Sequence, residues 1–202
     1  MDNTKDLSVL ESESGLFYVD GNGIAQRFEA LYNNPFFEIM PLVKDNPTVN
    51  KSSIRTFIVP KGVKGFASDF MRETRIVERF ELPEGLISIG NNSLDYVNEF
   101  RCVFAECILP EVIIPQSVQE IGSYAFGQSH IDVLQLPATL QSPYGRQFKD
   151  SYIGKLRLPK EWENIASLDK YNRLKIHFHW EERKKYAYLS WPSTYVGELE
   201  FY

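Results

Sequence analysis

The chain has 202 residues, 43% of them hydrophobic, which is enough for one domain with a packed core or for one elongated array. Charged residues make up 24% with a formal net charge of −5, which excludes the basic footprint of a nucleic-acid binder. Two cysteines, Cys102 and Cys107, are too few for a disulfide framework, and no window reaches the ~18 continuous apolar residues of a membrane span.

The first residues, MDNTKDLSVLESESG, carry acids and no apolar stretch. No secretory signal is read in them, so a cytoplasmic protein is expected. A cell-surface or secreted protein follows instead if an export signal has been removed. LFYV leads into DGNG at 20–23, which reads as a tight turn. It lacks the later Glu of a calcium loop and the GK[ST] of a phosphate loop. GIAQRFEALYNN then places Ile24, Phe28, Leu31 and Tyr32 on one helical face, and PFFEIMPLV adds apolar mass. Residues 1–50 are expected to be a capping segment, part helical, with DNPTVNKSS as the linker out of it.

From there the chain repeats itself. LPEGLISIG at 82–90 is rewritten as IPQSVQEIG at 114–122. Taking the proline as anchor gives Pro60, Pro83, Pro115, Pro137 and Pro159, with spacings of 23, 32, 22 and 22. One residue before the anchors stand Val59, Leu82, Ile114, Leu136 and Leu158. Three before stand Phe57, Phe80, Val112, Leu134 and Leu156; six before, Ile54, Val77, Leu109, Ile131 and Ile153. Apolar columns recur three and six residues after, and about eleven after stand Leu94, Phe126 and Phe148. Alternation before the proline is the period of a strand, and the proline ends it because it cannot donate to a ladder. A second short extended piece follows, and Gly90 and Gly122 suit a turn with unusual backbone angles. The long spacing needs an insertion of about ten residues, expected near 97–107 in DYVNEFRCVFAEC.

A 22-residue unit cannot bury such columns alone, but stacked copies can. Equivalent strands must then be parallel and the crossovers right-handed. The fold expected is an α/β, β-rich leucine-rich-repeat-like solenoid of about five right-handed turns over 51–170, with one parallel sheet face and a cap at each end, all one structural domain. Residues 109–126, LPEVIIPQSVQEIGSYAF, carry the phrase most fully, with copies at 77–94 and 131–148. This pattern resembles the BspA-type leucine-rich repeat of bacterial and protist proteins. The resemblance implies a non-enzymatic protein-interaction or adhesion module, with no catalytic residues and no cofactor.

After the repeats, LKIHFHW, YAYLSW and YVGELEFY read as strands, with WPST a turn, so 171–202 is expected to be a C-terminal β cap. In KIHFHWE, His177, His179 and Glu181 share one strand face. They form an alternative divalent-metal site, against the plainer reading of a solvated face. Cys102 and Cys107 lack the second pair a zinc site needs and read as small buried apolar residues, reduced and unmetallated.

The outward strand residues form two rows. One holds Ile58, Glu81, Ile113, Gln135 and Arg157; the other holds Thr56, Arg79, Glu111, Val133 and Lys155. Arg79 is expected beside Glu111 as an exposed pair. Apolar spots among charges make this the candidate face for a protein or peptide partner, built from Arg79, Glu81, Glu111, Ile113, Val133, Gln135, Lys155 and Arg157. The aromatic C-terminal strands around Tyr186, Tyr188 and Trp191 are the competing surface. The functions in contention are an interaction scaffold, a small metal-dependent activity at the C-terminal cap, and a structural piece of a larger surface adhesin. Nothing in the sequence sets an oligomeric state.

Overall fold

The computed structural model describes residues 7–35, 52–67, 70–90, 103–140, 147–162, 176–181, 184–189 and 195–202, with the backbone alone for 52, 176–181, 184–189 and 195. The chain opens on β1 (Ser8–Glu11), β2 (Gly15–Val19) and β3 (Ile24–Ala30). It then alternates long and short strands: β4 (Ser52–Ile58), β5 (Gly65–Phe66), β6 (Thr74–Glu81), β7 (Ser88–Ile89), β8 (Ile108–Ile113), β9 (Glu120–Ile121), β10 (His130–Gln135) and β11 (Tyr152–Leu158). It closes on β12 (Ile176–Glu181), β13 (Lys184–Leu189) and β14 (Tyr195–Phe201).

The five strands before the anchor prolines lie in one sheet, in the order β4, β6, β8, β10, β11, and every neighbouring pair among them is parallel. Each ends one or two residues short of its proline. The proline carbonyl then accepts a bond from the residue three further on: Leu86 N to Pro83 O at 3.2 Å, Val118 N to Pro115 O at 3.1 Å, Trp162 N to Pro159 O at 2.9 Å. The anchor therefore stops a strand and opens a β-turn. Two of these turns carry Gly62 and Gly85 at φ 103° and 98°, a region where a side chain is strained. The short strands that follow are also aligned turn to turn, β7 pairing with β9 in parallel. Gly90 takes the unusual backbone expected of it, with φ 83°, but Gly122 does not.

The residues three before the anchors (Phe57, Phe80, Val112, Leu134 and Leu156) are all buried. Six before, the buried residue of the second copy is Ile76 rather than Val77. The pairing explains this: Ile54 faces Ile76 but Thr56 faces Arg79, so β6 carries one extra residue as a bulge. Behind the sheet, Phe104, Phe126 and Phe148 stack with ring centroids 5.4 Å apart at each step. Phe57 and Phe80 join the stack through Phe104, at 5.8 and 5.2 Å.

Phe104 relocates the expected insertion. Residues 104, 126 and 148 stand 22 apart, and Val103, Phe104, Ala105 and Cys107 are all buried within the repeating core. The segment 103–107 is thus regular repeat, and the extra residues fall in 91–102. Those residues, with Cys102 and the Leu94 column position, lie outside the described ones, as do the linker at 45–51 and the WPST turn. Cys107 is buried, with its Sγ 2.8 Å from Met71 O.

The long strands β6, β8, β10 and β11 are each entered through the same corner. Glu73, Glu106, Gln128 and Asp150 are left-handed, with φ between 56° and 60°. Each is followed by a buried small residue: Thr74, Cys107, Ser129 and Ser151. Cys107 N donates to Ser129 Oγ at 3.1 Å, and Ser129 Oγ donates to Phe104 O at 2.8 Å. Ser129 N donates to Ser151 Oγ at 3.2 Å, and Ser151 Oγ donates to Phe126 O at 2.6 Å. Ser129 and Ser151 thus bond their turns into the preceding ones.

At the N-terminus the helical face expected over Ile24, Phe28, Leu31 and Tyr32 is a strand. Asp20 Oδ1 accepts from Asn22 N at 2.9 Å and Ile24 N at 3.0 Å, which closes the turn at 20–23. The returning chain pairs with β2, and Phe28 packs its ring on Phe17 at 4.8 Å, while Tyr32 is fully exposed. This hairpin reaches the free edge of β4. Asn34 Nδ2 donates to Thr56 O at 2.8 Å and its Oδ1 accepts from Thr56 N at 2.8 Å. Ser14 Oγ accepts from Ile58 N at 2.9 Å and donates to Ile58 O at 3.2 Å. Backbone groups that would otherwise invite a foreign strand are occupied by side chains.

At the other end β14 is parallel to β11, and β13 and β12 extend the sheet from it antiparallel. The C-terminal strands therefore continue the repeat sheet.

Two stability outcomes follow. Phe126 is fully buried in the ring stack, so Phe126→Ala is expected to cost about 3–5 kcal/mol in urea melts. Gln128 holds a left-handed backbone with an exposed side chain, so Gln128→Gly is expected to raise stability by about 1 kcal/mol in the same assay. A loss with glycine would mean that the corner tolerates its side chain without strain.

Candidate interaction face on the parallel sheet

Strand alternation turns two rows of side chains outward, and the pairing aligns them. Val133 faces Glu111 on one side and Lys155 on the other; Gln135 likewise lies between Ile113 and Arg157. Arg79 and Glu81 face Thr56 and Ile58 on β4. All eight residues expected on this face stand on it. Its apolar centre is Ile113, 47% exposed, beside the half-buried Val133.

The rows are interrupted between β6 and β8. Among the described residues these strands share one ladder pair, Arg75 with Ile108, where their neighbours share five or six. Pro110 lies inside β8 and brings no N–H, and the β6 bulge shifts the facing groups. A strand-end bond recurs elsewhere: Val59 N to Glu81 O, Ile114 N to Gln135 O and Leu136 N to Arg157 O, each at 3.0 Å. The equivalent bond from Leu82 N to Ile113 O is not made. A crevice of about 360 Å³ opens there, lined among others by Arg79, Glu81, Glu84, Pro110, Glu111 and Ile113.

This interruption also decides the charge pairing. Arg79 does not reach Glu111. Its Nε lies 2.6 Å from Glu81 on its own strand, and its Nη1 lies 3.5 Å from Glu13. Glu111 instead accepts from Arg157 Nη1 at 2.9 Å, across β10. Arg157 Nε also bonds Glu200 at 3.1 Å, and Lys155 Nζ lies 2.9 Å from Glu200 and 3.2 Å from Glu198. Two cations and three carboxylates form one network across β8, β11 and β14. Its hydrogen bonds, Lys155 first, hold the Glu200 carboxyl below the usual carboxylate range, and the Glu200 bond leads in holding the Lys155 ammonium above its ordinary value.

Glu198 and Glu200 had no place in the expected site, because their strand read as a cap. A signal for them existed: YVGELEF at 195–201 repeats YIGKLRL at 152–158 with the charges reversed. The alternative metal set falls on β12, where His177 and His179 are in register with Tyr188 and Tyr186, and Glu181 with Lys184. Their side chains, like those of Tyr186, Tyr188 and Trp191, lie outside the described residues. Among the described residues no group of three or more His, Cys, Asp or Glu is placed to hold a metal, and no helix is long and apolar enough to cross a membrane.

Residues 100–175 match the family model described as BspA type leucine rich repeat region (6 copies). No curated protein and no solved structure shows significant similarity to the chain. The same strand, turn and column pattern extends outside the matched span, through β4 and β6.

The ion network has a defined pH window. The Glu200 pKa is depressed in the folded chain, so its contribution is present above the ordinary carboxylate pKa and is lost as pH falls through the folded value. The Lys155 pKa is raised, so its contribution is present below the ordinary lysine pKa and is lost as pH rises through the folded value. Glu200→Gln is expected to lower the melting temperature at neutral pH. That difference should shrink in strong acid and in molar salt; a difference that stays constant from pH 7 to pH 2 would contradict the assignment.

Proposed function

Because residues 100–175 match the model of the BspA-type leucine-rich repeat family, whose members are in general non-enzymatic interaction or adhesion scaffolds, we propose that this chain is a protein-binding scaffold that uses its parallel sheet face. In this reading the strands from β4 to β11 are successive turns of a right-handed solenoid of about five turns. The N-terminal hairpin closes one end and the C-terminal strands close the other. The whole acts as a single domain.

The observation that carries the reading is the texture of the face. Ile113 is exposed at the centre of a surface whose charges are already engaged with one another. A charge held by a neighbour loses less on association than a free one, and an apolar centre ringed by polar groups concentrates binding energy. The laddered backbone beneath is stiff, which lowers the ordering cost of binding.

The test is partner capture on the immobilised chain, with quantified affinity once the partner is isolated. Ile113→Asp is expected to weaken binding by about 2 kcal/mol or more while shifting the melting temperature by no more than about 3 °C. Arg157→Glu is a poor probe, since it would set four carboxylates together and disturb the sheet itself. Normal binding by Ile113→Asp with lost binding by Tyr188→Ala would move the site to the C-terminal strands.

A further inference from the structure

We propose that the crevice between β6 and β8 receives an arginine side chain from the protein partner. This rests on the sheet face being the binding surface, and it specifies what enters there.

The crevice is built to refuse a strand. An inserted strand would hold β6 and β8 about twice 4.8 Å apart. The Arg75 to Ile108 pairing at one end and the Phe80 to Phe104 ring contact at 5.2 Å beneath keep the two strands together. A single long side chain fits this space better than a backbone does.

Its walls and rim differ in chemistry. Pro110, Pro115 and Ile113 line it with apolar surface, suited to an aliphatic stem. The lining also holds four carboxylates, of Glu78, Glu81, Glu84 and Glu111, against the one guanidinium of Arg79. Including their ion-pair partners Glu13, Arg55 and Arg157, five carboxylates stand against three guanidiniums, a balance of −2. Glu84 is exposed and has no ion pair among the described residues. An incoming cation is favoured over an anion.

The backbone selects which cation. By the geometry of the equivalent strand ends, Ile113 O points across the crevice toward β6, and Leu82 N does not reach it. A carbonyl acceptor therefore sits beside carboxylate acceptors. Arginine brings five donors in a planar fork and no acceptor, so one guanidinium can serve both kinds of oxygen while its stem lies on the prolines. Lysine offers a compact point charge with a larger hydration cost.

The test titrates the isotope-labelled full chain with the tripeptide N-acetyl-Gly-Arg-Gly-amide, reading backbone amide resonances, beside its lysine and citrulline counterparts. Saturable shifts confined to Leu82, Glu111, Ile113 and their neighbours are expected for arginine. Binding should be several-fold weaker for lysine and at least tenfold weaker for citrulline. Glu84→Gln, an exposed change that leaves the core untouched, should weaken the arginine peptide several-fold. Equal response to citrulline, shifts scattered over the surface without saturation, or indifference to Glu84→Gln would each overturn the proposal. The outcome separates from that of the scaffold reading. If Ile113→Asp loses the partner but the arginine peptide does not bind, the face stands and the arginine site falls. If the peptide binds but Ile113→Asp keeps the partner, the partner uses another surface, and both the face reading and the partner's arginine are overturned.

Discussion

Each of the long strands β6, β8, β10 and β11 is entered through a corner where a left-handed residue precedes a small buried side chain, which at Cys107, Ser129 and Ser151 is bonded into the neighbouring turn. The parallel sheet depends on this corner. Parallel strands cannot be joined by a short hairpin, so the chain must travel round the core and return in register. A return displaced by one residue would point every core side chain outward. The left-handed residue reverses the chain at a fixed place, and Ser129 or Ser151 then bonds both an N–H and a carbonyl of adjoining turns. The ring stack of Phe104, Phe126 and Phe148 is the result of that register, held at an even 5.4 Å.

Where the corner repeats at 22 residues, the sheet is complete; where the interval stretches, it is not. The long interval between Pro83 and Pro115 coincides with the bulge in β6, the proline within β8 and the single ladder pair between them. The ring stack crosses this gap through Phe80 and Phe104, so the core stays continuous beneath an interrupted face. The repeat sheet therefore carries this break in backbone pairing on the side that faces outward, between two turns whose cores remain joined. A recess of that kind keeps its shape, which a loop would not.

Much of the fold could be read from apolar columns because each column is a direct record of burial. The proline anchors, the columns around them and the direction of the strands were all legible in this way. Three features were not. The corner shows in sequence as Glu, Glu, Gln and Asp followed by Thr, Cys, Ser and Ser, a polar pattern that looks like surface. The β6 bulge is hidden because Ile76 and Val77 are adjacent and both apolar, so either satisfies the column. The N-terminal strand at Ile24–Ala30 carried apolar residues at a helical interval, and what overrides that interval is Asp20, which folds the chain back onto β2. On the face, the outward positions were legible from alternation alone. The pairing among them was not, since it depends on which strands are in contact: Arg157 reaches Glu111 across a whole strand while Arg79 stops at its own.

The resemblance between β11 and β14 carries a consequence for how the chain assembles. A protein made of near-identical turns faces an identity problem, for any strand of the right period could dock on any other. YIGKLRL and YVGELEF share their core positions and their glycine, and those glycines let the strands approach closely: a side chain at Gly197 would lie 2.8 Å from the Gly154 carbonyl oxygen. Apart from Ile153 against Val196 and Leu158 against Phe201 the two segments are alike in shape, and it is charge, Lys155 and Arg157 against Glu198 and Glu200, that sets them in opposition. Two β11 strands from separate molecules would set like charges in adjacent rows, and so would two β14 strands. The charge alternation thus works as an address: it directs a strand that returns after a long excursion to one neighbour, and it makes self-pairing between copies the less favourable choice.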